Sequence, residues 1–274
     1  MKDIEFYKMS GAGNDFIIID NRNQVVDETD LVGFIAKVCR RKFSVGADGL
    51  ILVESSDKVD FKWRFYNSDG SRAEMCGNGA RCAARFAYVN QIAGPELSFE
   101  TDAGIVSARM QNDRVKIRMT DPTGLRLDYP LKIDSRMLRI SSINTGVPHA
   151  VVEVEDLENA DVCGDGRCIR FHEAYAPAGT NANFVSMTAK GEIVIRTYER
   201  GVEDETLACG TGSVAAALIM AKIRELPSPV DVLTRSRERL SIYFRMDGDR
   251  FYDVYLEGGA RIIYVGRLHQ EAWA

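Results

Sequence analysis

Short runs of β-branched and aromatic residues, cut off by Gly, Asp, Asn or Ser, dominate the hydrophobic pattern of the chain. They are "DFIIID" (15–20), "GLILVE" (49–54), "VDFKWRFYN" (59–67), "ELSFETDAG" (96–104), "IVSARMQNDRVKIRMTD" (105–121), "AVVEVED" (150–156), "EIVIRTYE" (192–199), "LSIYFRM" (240–246) and "FYDVYLEGG" (251–259). Their lengths and punctuation predict strands and turns, with "QNDR" as a hairpin turn. Helical patterns are fewer. "DETDLVGFIAKVCRRKF" (27–43) offers Asp or Thr as an N-cap, and Ala-rich segments follow Cys76 and Cys209. The last two, "AARFAYV" and "VAAALIMA", are apolar nearly all round, so as helices they must be wrapped by other structure.

The pattern repeats. "WRFYNSDGSRAEMCGNG" aligns with "IRTYERGVEDETLACGTG": an aromatic-bearing strand, a polar pair, an acidic loop, then Cys-Gly-x-Gly. Earlier, "SGAGNDFIIID" and "NTGVPHAVVEV" each set a polar Gly-containing turn before a strand. Chance similarity of turns explains this order less well than duplication. The expected architecture is α/β (α+β): two pseudo-symmetric halves, each a curved, mostly antiparallel sheet around a central apolar helix. The halves are expected at 1–121, carrying Cys76, and 122–261, carrying Cys209, with a final strand at about 262–274 packing on the first. A ligand cleft between them is expected, the usual place in a two-domain protein.

Composition narrows the function. A length of 274 residues, 45% hydrophobic, leaves room for two ordinary cores. Lys plus Arg number 35 against 40 Asp plus Glu, and no segment gathers positive charge, which argues against a nucleic-acid partner. No apolar run is long enough to span a bilayer, and "MKDIEFYKMSG" lacks the features of a signal peptide, so a cytoplasmic location is expected. In that compartment the six cysteines read as thiols. Zinc fits poorly: no CxxC or HxxxH spacing occurs, and His149, His172 and His269 are scattered. No nicotinamide or pyridoxal motif is apparent, and no cofactor is expected. "CGDGRC" (163–168) reads as a surface turn with structural or incidental thiols.

The two remaining cysteines sit where chemistry is favoured. A helix start exposes unpaired N–H groups and the positive end of the dipole, which favours a thiolate. The glycines of "CGNG" and "CGTG" let a ligand carboxylate approach the backbone N–H groups. Three readings compete: small structural cysteines at tight helix starts, a redox pair, or a general base and a general acid on opposite faces of one carbon. A redox pair usually lies in one local motif, whereas two-base inversion needs two like groups, one ionised and one protonated, and suits a symmetric fold.

"SGAGNDFIIID", "GADGLILVE", "FYNSDGSRAEMCGNGARCAARF", "GVPHAVVEV", "GTNANF" and "YERGVEDETLACGTG" together resemble the diaminopimelate epimerase family, in order from residue 9 to about 215. The resemblance implies a cofactor-independent isomerase converting L,L-diaminopimelate to the meso form, for lysine and peptidoglycan precursors, in a homodimer. It implies Cys76 and Cys209 as catalytic base and acid. Backbone N–H groups of Gly77, Asn78, Gly210 and Thr211 would hold the α-carboxylate, and Asn14, Asn67, Asn181, Glu199 and Arg200 the distal amino-acid end. His149 and Glu199 would tune the thiols. No metal is implied.

Two positions depart from the family pattern. Val147 stands where the family often has Asn ("GNPH"), and Gly49 where it often has Gln. One neutral hydrogen bond is worth about 0.5–1.5 kcal/mol, less than the charge-assisted contacts that Glu199 and Arg200 offer. Diaminopimelate stays the favoured substrate. The alternatives are a racemase of proline or hydroxyproline, for which the Glu199–Arg200 pair has no use, a related diamino diacid, or a non-catalytic amino-acid-binding protein.

Overall fold

The computed structural model describes residues 3–274. The chain forms two compact units: one runs to Ile117 and takes in Gly259–Ala274, and the other is Arg118–Gly258.

In the first unit β1 (Ile4–Gly11) and β2 (Asn14–Asp20) form an antiparallel hairpin. Both residues of its turn, Ala12 and Gly13, have positive φ (55° and 86°), the twist a two-residue hairpin requires. α1 (Leu31–Val38) then crosses to β3 (Gly49–Glu54), parallel to β2, and β4 (Phe61–Asn67) returns antiparallel. After the short β5 (Arg72–Ala73), α2 (Gly77–Val89) crosses to β6 (Glu96–Thr101), parallel to β4. β7 (Gly104–Gln111) and β8 (Arg114–Arg118) follow as a meander, joined at the "QNDR" turn. The C-terminal strand Arg261–Leu268 pairs with β1.

β2 and β3 read as continuous apolar runs because both their faces are buried. Ile17, Ile19, Leu50 and Leu52 pack with Phe34, Ile35 and Val38 of α1. The alternate residues Phe16 and Ile51 lie against the first turn of α2, where a Cβ on Gly79 would stand 3.4 Å from each. α1 is shorter than the 27–43 pattern predicts. Its N-cap is Asp30, whose carboxylate accepts from Gly33 N at 3.1 Å. Past Cys39 the chain turns back, with Lys42 at φ 71° and Gly46 N bonded to Val38 O.

The second unit repeats this order. β9 (Thr123–Ile133) and β10 (Arg136–Asn144) are antiparallel, and β10 pairs with β11 (Pro148–Glu153). α3 (Val162–Arg170) crosses to β12 (Asn181–Met187), parallel to β11, and β13 (Ile193–Glu199) returns. After β14 (Asp204–Thr206), α4 (Gly210–Arg224) crosses to β15 (Val230–Leu233), parallel to β13. β16 (Arg239–Asp247) and β17 (Arg250–Gly259) close the meander. α4 is buried from Gly212 to Ala221, the wrapped helix its composition predicts.

"CGDGRC" is not a surface turn; it lies inside α3. Asp161 caps that helix by accepting from Gly164 N at 2.8 Å, as Asp30 caps α1. Gly166 lets the helix lie on β13, since a Cβ there would stand 2.5 Å from Tyr198 Cβ. The glycines serve close packing rather than chain reversal. Cys163 and Cys168 are separate thiols, facing Asp204 and Asp134.

Candidate active site

Strand register makes the two repeats comparable residue by residue. In the first unit Phe16 pairs with Gly49, and Gly49 with Asn67. In the second His149 pairs with Asn181, and Ala182 with Tyr198, which sets Asn181 beside the level of Glu199. His149, Asn181 and Glu199 therefore repeat Phe16, Gly49 and Asn67. Two residues before Phe16 stands Asn14, and two before His149 stands Val147. Gly49, a departure from the family pattern, has a local reason: a Cβ would lie 2.6 Å from Tyr66 O and 2.7 Å from the Phe65 ring.

Cys76 is the N-cap of α2, with extended backbone (φ −147°, ψ 119°), and its Sγ accepts from Gly79 N at 3.5 Å. Cys76 Sγ also lies 3.5 Å from Asn14 Oδ1. Gly77 and Asn78 form the first turn, where N–H groups lack intrahelical acceptors. Behind that turn Arg81 is fully buried, donating to Asn78 Oδ1 (2.8 Å), Gly77 O (3.2 Å) and Gly259 O (3.3 Å). A buried guanidinium is tolerable only with such partners. Gly11 leaves room for this packing, since a Cβ would meet Asn78 O at 3.2 Å. Asn67 is exposed and its amide donates to Ser71 Oγ at 3.0 Å within its own turn.

Cys209 caps α4 in the same extended conformation (φ −116°, ψ 112°) and is buried. Its Sγ lies 3.5 Å from Thr211 Oγ1, and Thr211 O accepts from Thr145 Oγ1 at 3.0 Å. Gly210 and Thr211 open the helix. A Cβ on Gly212 would stand 2.4 Å from Asn183 Oδ1, so that glycine admits the amide.

Asn183 also organises His149. Its Nδ2 lies 3.2 Å from His149 Nδ1 and donates to Ala150 O at 2.8 Å, while its Oδ1 accepts from Thr197. His149 Nδ1 is thus the acceptor and Nε2 carries the proton; Nε2 is buried with no hydrogen-bond partner among the described residues. Burial, with the nearby Arg200 charge, lowers the His149 pKa to about 3, so the ring is neutral. Asn181 bridges its neighbours, donating to Pro148 O (3.1 Å) and accepting from Arg200 N (2.8 Å). Burial pushes the Glu199 carboxyl up, against a hydrogen bond from Thr206 Oγ1 (2.8 Å) that pulls it down. The Arg200 guanidinium donates to Ala178 O at 3.1 Å.

The first unit thus gathers Cys76, Gly77, Asn78 and Asn14, and the second His149, Asn181, Glu199 and Arg200 along adjoining strand ends. Sequence reasoning missed Arg81 and Asn183. "NANF" offered a signal for the latter, since alternate residues share a strand face. Among the described residues no three His, Cys, Asp or Glu side chains converge as metal ligands would, and no helix is long and apolar enough to cross a membrane.

The family model for diaminopimelate epimerase matches residues 6–125 and 141–263. The diaminopimelate epimerase of Aquifex aeolicus is 46% identical over 279 residues, spanning 98% of this chain and 99% of the relative. That of Hydrogenobaculum sp. is 47% identical, spanning 96% and 98%. Among solved structures, a phenazine biosynthesis protein of the PhzF family from Bacillus anthracis superposes with TM-score 0.76 at 17% identity, over 98% of this chain and 100% of that one. A probable proline racemase from Agrobacterium radiobacter K84 gives 0.70 at 13%, over 97% and 93%. At such identities these two establish the fold alone. With the family model covering most of the chain and near-full-length relatives at 46–47% identity, the chain belongs to the diaminopimelate epimerase family.

Proposed function

We propose that the chain interconverts L,L- and meso-diaminopimelate by proton transfer at one α-carbon, with Cys76 and Cys209 serving opposite faces of it. The observation that carries the reading is that each cysteine is the N-cap of a buried helix at the same point of two matching repeats. One sulfur, as thiolate, takes the α-proton and becomes a thiol. The other, as thiol, gives its proton to the opposite face and becomes a thiolate. Atoms and charge balance without an oxidant, and the reverse reaction exchanges the roles. The N–H groups of Gly77, Asn78, Gly210 and Thr211 bind the reacting carboxylate and stabilise negative charge as it develops at the carbon. Arg200 suits the distal carboxylate and Glu199 the distal ammonium, with Asn14, Asn67 and Asn181 as further polar contacts.

His149, buried and neutral, brings no charge of its own to these residues. The reading places the protein in the cytoplasm as a homodimer, feeding lysine and peptidoglycan synthesis. Incubation with L,L-diaminopimelate in heavy water, without added cofactor and under reducing conditions, should give meso product deuterated at the inverted carbon. No exchange would reject the reading, and exchange into proline instead would move it to the racemases.

A further inference from the structure

Asn14 has a forced orientation. Its Nδ2 donates to Asp48 Oδ2 at 2.7 Å, and its Oδ1 faces Cys76 Sγ at 3.5 Å. An ionised carboxylate only accepts hydrogen bonds, so the amide cannot turn over without losing Asp48. At Asn14, Cys76 therefore meets an acceptor, which a thiol satisfies and a thiolate does not, opposite the Gly79 N–H that either form can accept. Asp48 is itself held. Its Oδ1 takes Arg41 Nη2 at 2.9 Å, its Oδ2 takes Asp15 N at 3.1 Å, and its own N–H donates to Asp15 Oδ1 at 3.1 Å. Asp15 ties in Arg41 (2.5 Å) and the buried Lys8 (2.6 Å). Burial pushes Asp15 up, but Arg41 and Lys8 together outweigh it and hold the carboxyl below its ordinary value. Asp15, Asp48, Arg41 and Lys8 are the charged groups facing the amide side of Asn14. At the equivalent place in the second repeat stands Val147, whose side chain has no acceptor to offer.

We propose that Asp48 is a positioning residue: it locks the Asn14 amide with its carbonyl toward Cys76 Sγ, so that Cys76 rests as the protonated thiol. In the reaction proposed above, on which this rests, Cys76 then starts as the proton donor and Cys209 as the base. Removing Asp48 frees the amide to turn its NH2 group to the sulfur and favours the thiolate.

The test follows the rate of Cys76 alkylation by iodoacetamide against pH, read from the Cys76 peptide by mass spectrometry. It needs no turnover, so it fails or succeeds independently of the epimerase reading. Asp48→Ala should move the midpoint down by about 1 pH unit, since exchanging one hydrogen bond for another of opposite sense is worth on that order. Asp48→Asn removes the same charge but keeps an acceptor for Asn14 Nδ2, and should keep the midpoint within a small fraction of that shift. In an Asn14→Ala background Asp48→Ala should add nothing. Equal shifts for Asp48→Ala and Asp48→Asn, no shift for either, or an undiminished shift without Asn14 would each overturn the proposal. Circular dichroism and thermal melts establish that the variants fold.

Discussion

Phe16 on β2 and His149 on β11 hold the same sheet position in the two repeats, each paired with the first residue of the next parallel strand. Both are buried aromatic rings, at 1% exposure each. One is pure hydrocarbon; the other keeps a neutral imidazole dry at the cost of a strong shift in its proton affinity.

That cost fixes a pH dependence of stability. The native ring, at about 3, refuses a proton that the unfolded chain binds below its ordinary value near 6.5. Between these values the unfolded state holds more protons, so stability rises with pH and is lost as pH falls through about 6.5 toward 3. The contribution has a limiting slope of about 1.4 kcal/mol per pH unit. His149→Phe should flatten denaturant-derived stability over pH 4–6 by up to that slope; an unchanged slope would place the loss on other groups.

Cys76→Ala and Cys209→Ala should each lower kcat by at least about 10²–10⁴, the range of a positioned acid or base, because the proposed reaction asks each thiol to serve a different face. Cys→Ser at either position should do nearly as badly, since an alcohol is a poor base at neutral pH. Isothermal titration with meso-diaminopimelate should still detect binding in these variants. A serine enzyme with most of its rate would exclude thiolate chemistry.

Glu199→Gln separates stability from activity. The carboxylate is desolvated, whereas a glutamine can still accept from Thr206 Oγ1. Thermal melting at pH 7 should show equal or higher stability, because the buried charge is gone. kcat/KM for diaminopimelate should fall about 10–100-fold, the worth of a charge-assisted hydrogen bond. A fall in stability together with unchanged kcat/KM would make Glu199 structural.

Gly166→Ala opposes helix propensity. Replacing a helical glycine by alanine ordinarily gains roughly 0.5–1 kcal/mol, but the new methyl would meet Tyr198 Cβ at 2.5 Å and Cγ at 2.9 Å. Overpacking of this kind costs about 1–3 kcal/mol. Urea denaturation should show a net loss, and a gain would mean that α3 moves off β13 with ease.

Strands buried on both faces, such as "FIII" and "LILV", were legible because uninterrupted hydrophobicity leaves no solvent face. The hairpin of β9 and β10 was not, because the first eight residues of β9 and the first four of β10 are only half-buried or exposed, and β9 includes Pro130. α3 was missed for a related reason: its glycines answer to Tyr198, a partner the local sequence does not display. The cue was the Asp-x-x-Gly opening shared by Asp30–Gly33 and Asp161–Gly164, visible only when the duplication is followed beyond the cysteine motifs. The cysteines and their glycines could be found because a Cys-Gly-x-Gly phrase occurring twice carries its own evidence. Arg81 could not, since an arginine at the start of a helix ordinarily lies in water.

The carbonyl of Gly77 and the N–H of Asn78 belong to one peptide plane, and in a trans peptide they point in opposite directions. Arg81 grips the carbonyl from inside the protein and the Asn78 side chain beside it. A side chain that never meets solvent thereby aims an amide proton outward, as a rudder post fixes a rudder. The turn around Cys76 is held in shape by the fold itself, and needs no ligand to order it.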